Sequence, residues 1–74
     1  MKEYEEVLKF IITNKNRKDG VVGIEIPLNQ SLNVFFELQN LGYITNFVNT
    51  RLDDKYVVSC DITYLGLHYF DEND

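Results

Sequence analysis

Residues 28–45 read LNQSLNVFFELQNLGYIT, and the reading of this stretch decides the fold. Asn29 or Ser31 can cap a helix whose apolar residues run to Leu41, and Gly42 supplies the left-handed residue that commonly ends one. At about 100° per residue, Leu32, Val34, Phe35, Phe36, Leu38 and Leu41 cover an arc of roughly 220°. Asn29, Asn33, Glu37 and Asn40 keep only a narrow polar strip. A surface helix normally carries an apolar stripe a little over 100° wide. Counting back from Gly42, the inward positions belong to Leu38, Phe35 and Val34. Leu32 and Phe36 are therefore left over on the other side.

Upstream, Tyr4, Val7, Leu8 and Ile11 recur at the i, i+3, i+4, i+7 spacing of a helix over residues 2–13. Glu3, Glu5 and Glu6 stand in its first turn, where the helix dipole favours acids. NKNRKDG (14–20) is a polar loop, and VVGIEI (21–26) reads as a strand that stops before Pro27. Downstream, YITNFVNT (43–50) and KYVVSCDIT (55–63) are rich in aromatic and β-branched residues, and RLDD between them can turn the chain into a hairpin. In the second arm Tyr56, Val58, Cys60 and Ile62 share one face, expected to be the core face. Thr63 can cap a last short helix over 64–71, in which Leu67 and Phe70 pack before the acidic DEND ending. The predicted class is α+β in the order α-β-α-β-β-α, one domain over residues 1–74.

Composition narrows the function. Hydrophobic content of 45%, with five tyrosines and five phenylalanines, argues against a disordered chain, and the longest apolar runs fall far short of a membrane span. No signal-peptide pattern opens the chain, so the expected setting is the cytoplasm. Cys60 is the only cysteine and His68 the only histidine, so neither an internal disulfide nor a zinc site is expected. A net charge of −5 opposes general attraction to phosphates, although it leaves room for a local basic patch.

A helix ending in LGYI, a strand, a charged turn, a second strand and then ITYLGLHYF follow the order of a winged helix, whose hairpin is the wing. The final segment is similar to the hydrophobic-Thr-x-x-Gly-x-x-Tyr-hydrophobic ending of small winged-helix proteins of the YjcQ-like type from Gram-positive bacteria and phages. Ile62, Thr63, Gly66, Tyr69 and Phe70 occupy those places. The resemblance covers most of the chain and implies a winged-helix-like fold in a phage-related or transcription-regulating protein. One element departs from it. Where a DNA-reading winged helix has a bracing middle helix, this sequence has VVGIEIP, so the helix-turn-helix is degenerate or replaced by a strand.

The site expectations follow from that departure. Residues 28–41 stand where a recognition helix would, yet carry no Lys or Arg. One reading has the strand at 21–26 simply cover Leu32 and Phe36. A second makes Leu32 and Phe36, with Asn33 and Asn40, an interface for a second copy or another protein. A third is direct DNA insertion, in which Gln30 and Asn33 read adenine edges. Phosphate contacts would then fall to Lys15, Arg17 and Lys18 in the first loop and Arg51 and Lys55 on the wing.

Catalysis is not expected. Cys60 with His68 lacks an orienting third group, and neither Asp53-Asp54 nor the terminal carboxylates have the loop of an EF-hand. No cofactor or metal is expected. The function read from the sequence is a small non-enzymatic regulatory or binding module acting through protein or dimer contacts, with DNA contact as an option. The alternative is an acidic inhibitor of the anti-CRISPR or DNA-mimic type. Residues 61–74 carry −4 of the −5 through Asp61, Asp71, Glu72 and Asp74, localised enough to imitate a short run of phosphates.

Overall fold

Tyr4, Val7, Leu8 and Ile11 do line up along one helix, and the structure builds outward from it. A computed structural model describes residues 2–15 and 20–71. Helix α1 spans Glu3–Asn14 and buries Leu8 and Ile11 completely. The Glu5 carboxylate accepts the Lys2 backbone N–H at 2.9 Å, satisfying one of the donors a helix start leaves open.

Strand β1 then runs Gly20–Pro27. The segment VVGIEI is therefore a strand, as its β-branched residues predict, and among the described residues no helix stands between α1 and α2. A turn closed by the Gln30 N–H on the Pro27 carbonyl (3.0 Å) leads to helix α2, Asn33–Asn40. This helix begins later than expected. Asn29 lies in the preceding turn, and Ser31 does not stand at the cap but accepts the Asn33 N–H on its hydroxyl at 3.0 Å. The other end matches the sequence reading. Gly42 has φ +86°, its N–H bonds the Gln39 carbonyl (3.1 Å), and Tyr43 N–H bonds the Leu38 carbonyl (3.0 Å). That pair of bonds is a Schellman stop.

Strands β2, Ile44–Arg51, and β3, Lys55–Ile62, form the predicted hairpin, and β1 joins it to give an antiparallel sheet in the order β1-β3-β2. β1 pairs with β3 along its length, from Gly20 opposite Asp61 to Pro27 opposite Lys55, so the hairpin has a third strand out to its tip. Both neighbours bulge against adjacent residues of β3, β1 opposite Ser59 and β2 opposite Cys60. In β1 the register shifts between Val21 and Ile24, where Gly23 has φ +81°; in β2 it shifts between Thr45 and Val48, where Asn46 has φ +56°. Asn is one of the few side-chain-bearing residues that enter this region readily.

The core lies between the helices and one face of the sheet. Val58, Cys60 and Ile62 from β3, Val21 from β1, Ile44 from β2 and Val34, Phe35 and Leu38 from α2 close around Leu8 and Ile11. Tyr56, on the same face of β3, is half-buried. Beyond Phe47 the rest of β2 is exposed.

Helix α3 is shorter than predicted: Tyr64–Leu67, followed by turns to Asp71. Thr63 caps it, accepting the Gly66 N–H at 3.1 Å and donating its own hydroxyl to the Gly42 carbonyl at 2.6 Å. Leu67, Tyr69 and Phe70 pack against the core. Among the described residues no helix is long and apolar enough to cross a membrane.

Candidate interaction surface on the second helix

The phase of α2 is set by its buried side: Leu38 is 0%, Phe35 3% and Val34 8% exposed. Those are the three positions counted inward from Gly42. Rotating from them brings up Leu32 and Phe36, which the structure separates. Leu32, at the N-cap, is half-buried and packs against the core. Phe36 remains 46% exposed.

What supports Phe36 is β2, not the strand at 21–26. The Phe47 ring stacks on Phe35 (centroids 5.4 Å apart, 9° between planes) and receives Phe36 edge-on (5.1 Å, 80°). The Gln39 side-chain carbonyl accepts the Phe47 backbone N–H at 3.2 Å and holds β2 against the helix. Phe36 is thus held on one side by Phe47 and left nearly half exposed on the other. On a helix its neighbours are the residues three and four away, Leu32, Asn33, Gln39 and Asn40. Asn33, Gln39 and Asn40 are exposed, so an apolar centre sits within an uncharged polar rim.

The candidate phosphate and base contacts do not come together. Gln30 lies in the turn before α2, not on the helix, so it does not share a helical face with Asn33. Lys55 is bonded to Glu25 on the adjacent strand at 3.2 Å, which leaves Arg51 as the exposed cation beside it. Lys15 closes α1, whereas Arg51 and Lys55 stand at the hairpin tip, beside the Pro27 end of β1. Arg17 and Lys18 lie outside the described residues.

The carboxylates considered as phosphate imitators have partners of their own. Asp61 accepts the Asn46 amide at 2.8 Å, and Asp71 contacts the His68 Nδ1. Glu72 and Asp74 lie outside the described residues. Cys60 is fully buried on the core face of β3, while His68 is exposed with its ring against Tyr64.

Two arrangements escaped the sequence reading. One is Phe47 as the platform for Phe36, which depends on the β2 bulge. The other ties the two ends of the described chain: Tyr69 donates its hydroxyl to Glu5 Oε2 at 2.6 Å and lies 3.4 Å from the Tyr4 hydroxyl. The bond from Tyr69, then that from the Lys2 backbone, holds the Glu5 carboxyl below its ordinary value of 4.5. The same bond to Glu5, then the Tyr4 contact, raises the Tyr69 phenol above its ordinary 10.0. A Tyr at the i+6 place after a capping Thr was the available signal, but its partner lies 64 residues away.

Comparison of the chain with protein-family models, with curated proteins and with solved structures returns no match.

Proposed function

We propose that this protein is a non-enzymatic binding module on a winged-helix-like plan, acting through a protein contact made by the outer face of α2, most directly with a second copy of itself. The element order and the β1-β3-β2 sheet support the plan, with a strand standing where the middle helix would be. The observation that carries the reading is Phe36: a phenylalanine 46% exposed amid Asn33, Gln39 and Asn40. Aromatic residues are favoured at interface centres, and truncating them there has the largest effects. A chain of net charge −5 repels its own copies except through a face that lacks that charge. On α2 itself the one ionised residue is Glu37, next to Phe36 in sequence and about 100° away around the helix. The same absence of Lys and Arg weighs against base reading by this helix.

Light scattering on the purified chain tests the proposal, together with a salt series of binding to random duplex DNA. The expected result is a dimer mass that becomes monomeric in Phe36→Asp, with the circular dichroism spectrum unchanged. A wild-type monomer at high concentration sinks the dimer, and DNA binding that weakens steeply with salt would return the function to nucleic acid. The acidic-inhibitor reading has one observation in its favour: three glutamates around a single groove.

A further inference from the structure

On a different side of the molecule from Phe36, α1, β1 and the start of α2 enclose an open groove of about 530 Å³. Its floor is apolar, made by Val7 and Phe10 of α1, Ile24 and Ile26 of β1, and Val34 and Phe35 of α2. Glu3, Glu6 and Glu25 stand among its walls, and among the described residues no Lys or Arg does. Glu25 is engaged by Lys55, while Glu3 and Glu6 are exposed carboxylates with no ion pair among the described residues. Phe10 is 49% exposed, a second aromatic ring left partly open to solvent.

The groove has a direction. Successive strand residues point to opposite faces of a sheet. Ile24 and Ile26 share the face that makes the floor, and Glu25 between them belongs to the opposite face, so a groove touching all three reaches the edge of β1. Over residues 24–26 that edge carries no further strand among the described residues, since β1 is an outer strand of the sheet. Alternate backbone N–H and C=O groups along it point away from the sheet. The usable stretch is short, because the bulge at Gly23 precedes it and Pro27, which has no N–H, ends it.

We propose that this groove docks an extended segment of a partner protein, carrying one large apolar side chain flanked by Lys or Arg, laid along the outer edge of β1. Backbone bonds to the edge hold the segment, the apolar side chain enters the floor beside Phe10, and the flanking cations meet Glu3 and Glu6. Strand addition of this kind takes its affinity from main-chain bonds and its specificity from side-chain pockets. The carboxylates choose the charge of the partner and hasten encounter with it. This inference does not depend on the α2 contact, because Phe36 does not line the groove.

The test is an amide-resolved NMR titration of the full chain with a short capped peptide, Arg-Lys-Phe-Lys-Leu-Arg. Saturable shifts are expected at Glu3, Glu6, Val7, Phe10 and Ile24–Ile26. Replacing the peptide's Phe and Leu by Ser should weaken binding at least about tenfold, by loss of apolar burial. N-methylation of alternate peptide amides should abolish it, and Glu3→Gln/Glu6→Gln in the protein should weaken it severalfold. The Phe36→Asp variant should bind the peptide as the wild type does, so failure of the dimer and failure of this docking are read separately. Equal binding of the Ser peptide or of the N-methylated peptide overturns the proposal. So do shifts centred on Phe36, and so does dilution-dependent shifting of the groove amides without peptide, which would make a second copy the occupant.

Discussion

Phe36 and Leu38 stand two residues apart on α2 and differ in almost everything that decides cost. Leu38 is fully buried, so Leu38→Ala should lose about 2–5 kcal/mol of stability, the transfer term plus the cavity left behind. Phe36 contributes an edge-on ring contact with Phe47, so Phe36→Ala should cost about 1 kcal/mol. Urea unfolding of both variants checks this, and equal losses would place Phe36 in the core. Two glycines separate space from backbone conformation in the same way. A Cβ on Gly66 would stand 2.1 Å from the Tyr43 carbonyl oxygen, backbone that cannot step aside, so Gly66→Ala should cost at least about 2 kcal/mol and loosen α3. A Cβ on Gly23 would meet nothing within 4 Å, so Gly23→Ala should cost only the left-handed backbone, about 1–2 kcal/mol. The inward set of α2 was legible because it follows from helical phase and one stop residue. The fate of Phe36 was not, because it depends on where a bulged strand places Phe47.

At the scale of elements, the final segment from Ile62 to Phe70 has a structural account residue by residue. Ile62 joins the core, Thr63 ties α3 to the end of α2, Gly66 admits the Tyr43 carbonyl, and Tyr69 and Phe70 cover what remains. The link between α1 and the C-terminal turns is the Tyr69 to Glu5 bond, and it makes stability depend on pH at both extremes. Glu5 titrates below its ordinary 4.5 in the folded state, so its contribution is fully present above 4.5 and is lost as pH falls through the lowered value. Tyr69 titrates above its ordinary 10.0, so its contribution is present below 10.0 and fades as pH rises past it toward the raised value. Melting temperatures of wild type and Tyr69→Phe should therefore differ at neutral pH and converge in acid well below 4.5. A constant gap across that range would mean that the phenol acts through packing alone. Caps and stops such as Thr63 and Gly42 were readable because they are local chemistry. The shortness of α3 and the full-length pairing of β1 with β3 were not, because both are set by distant parts of the chain.

For the whole molecule, the proposed α2 contact would tie stability to concentration. If α2 pairs two copies, the wild-type melting temperature should rise with protein concentration, whereas that of Phe36→Asp should stay constant. Calorimetry over a dilution series decides it. The predicted α+β class and element order match the structure, since both follow from periodicity and punctuation. The two basic groups stay as separate as they are in the sequence: Lys15 closes α1, Arg51 and Lys55 stand at the hairpin tip, and Arg17 and Lys18 lie outside the described residues. The paired bulges of the sheet carry a last consequence. Gly23 and Asn46 flank β3 at adjacent residues; the Gly23 N–H lies 3.4 Å from the Ser59 hydroxyl, and the Asn46 amide reaches Asp61. A slide of β3 by two residues would keep every side chain on its proper face, the usual safe error of a sheet. Here the same slide would leave only one of Ser59 and Asp61 opposite a notch, and not its own, so both contacts as they stand would be lost; β3 is keyed as well as bonded, and the tip of the hairpin keeps one register.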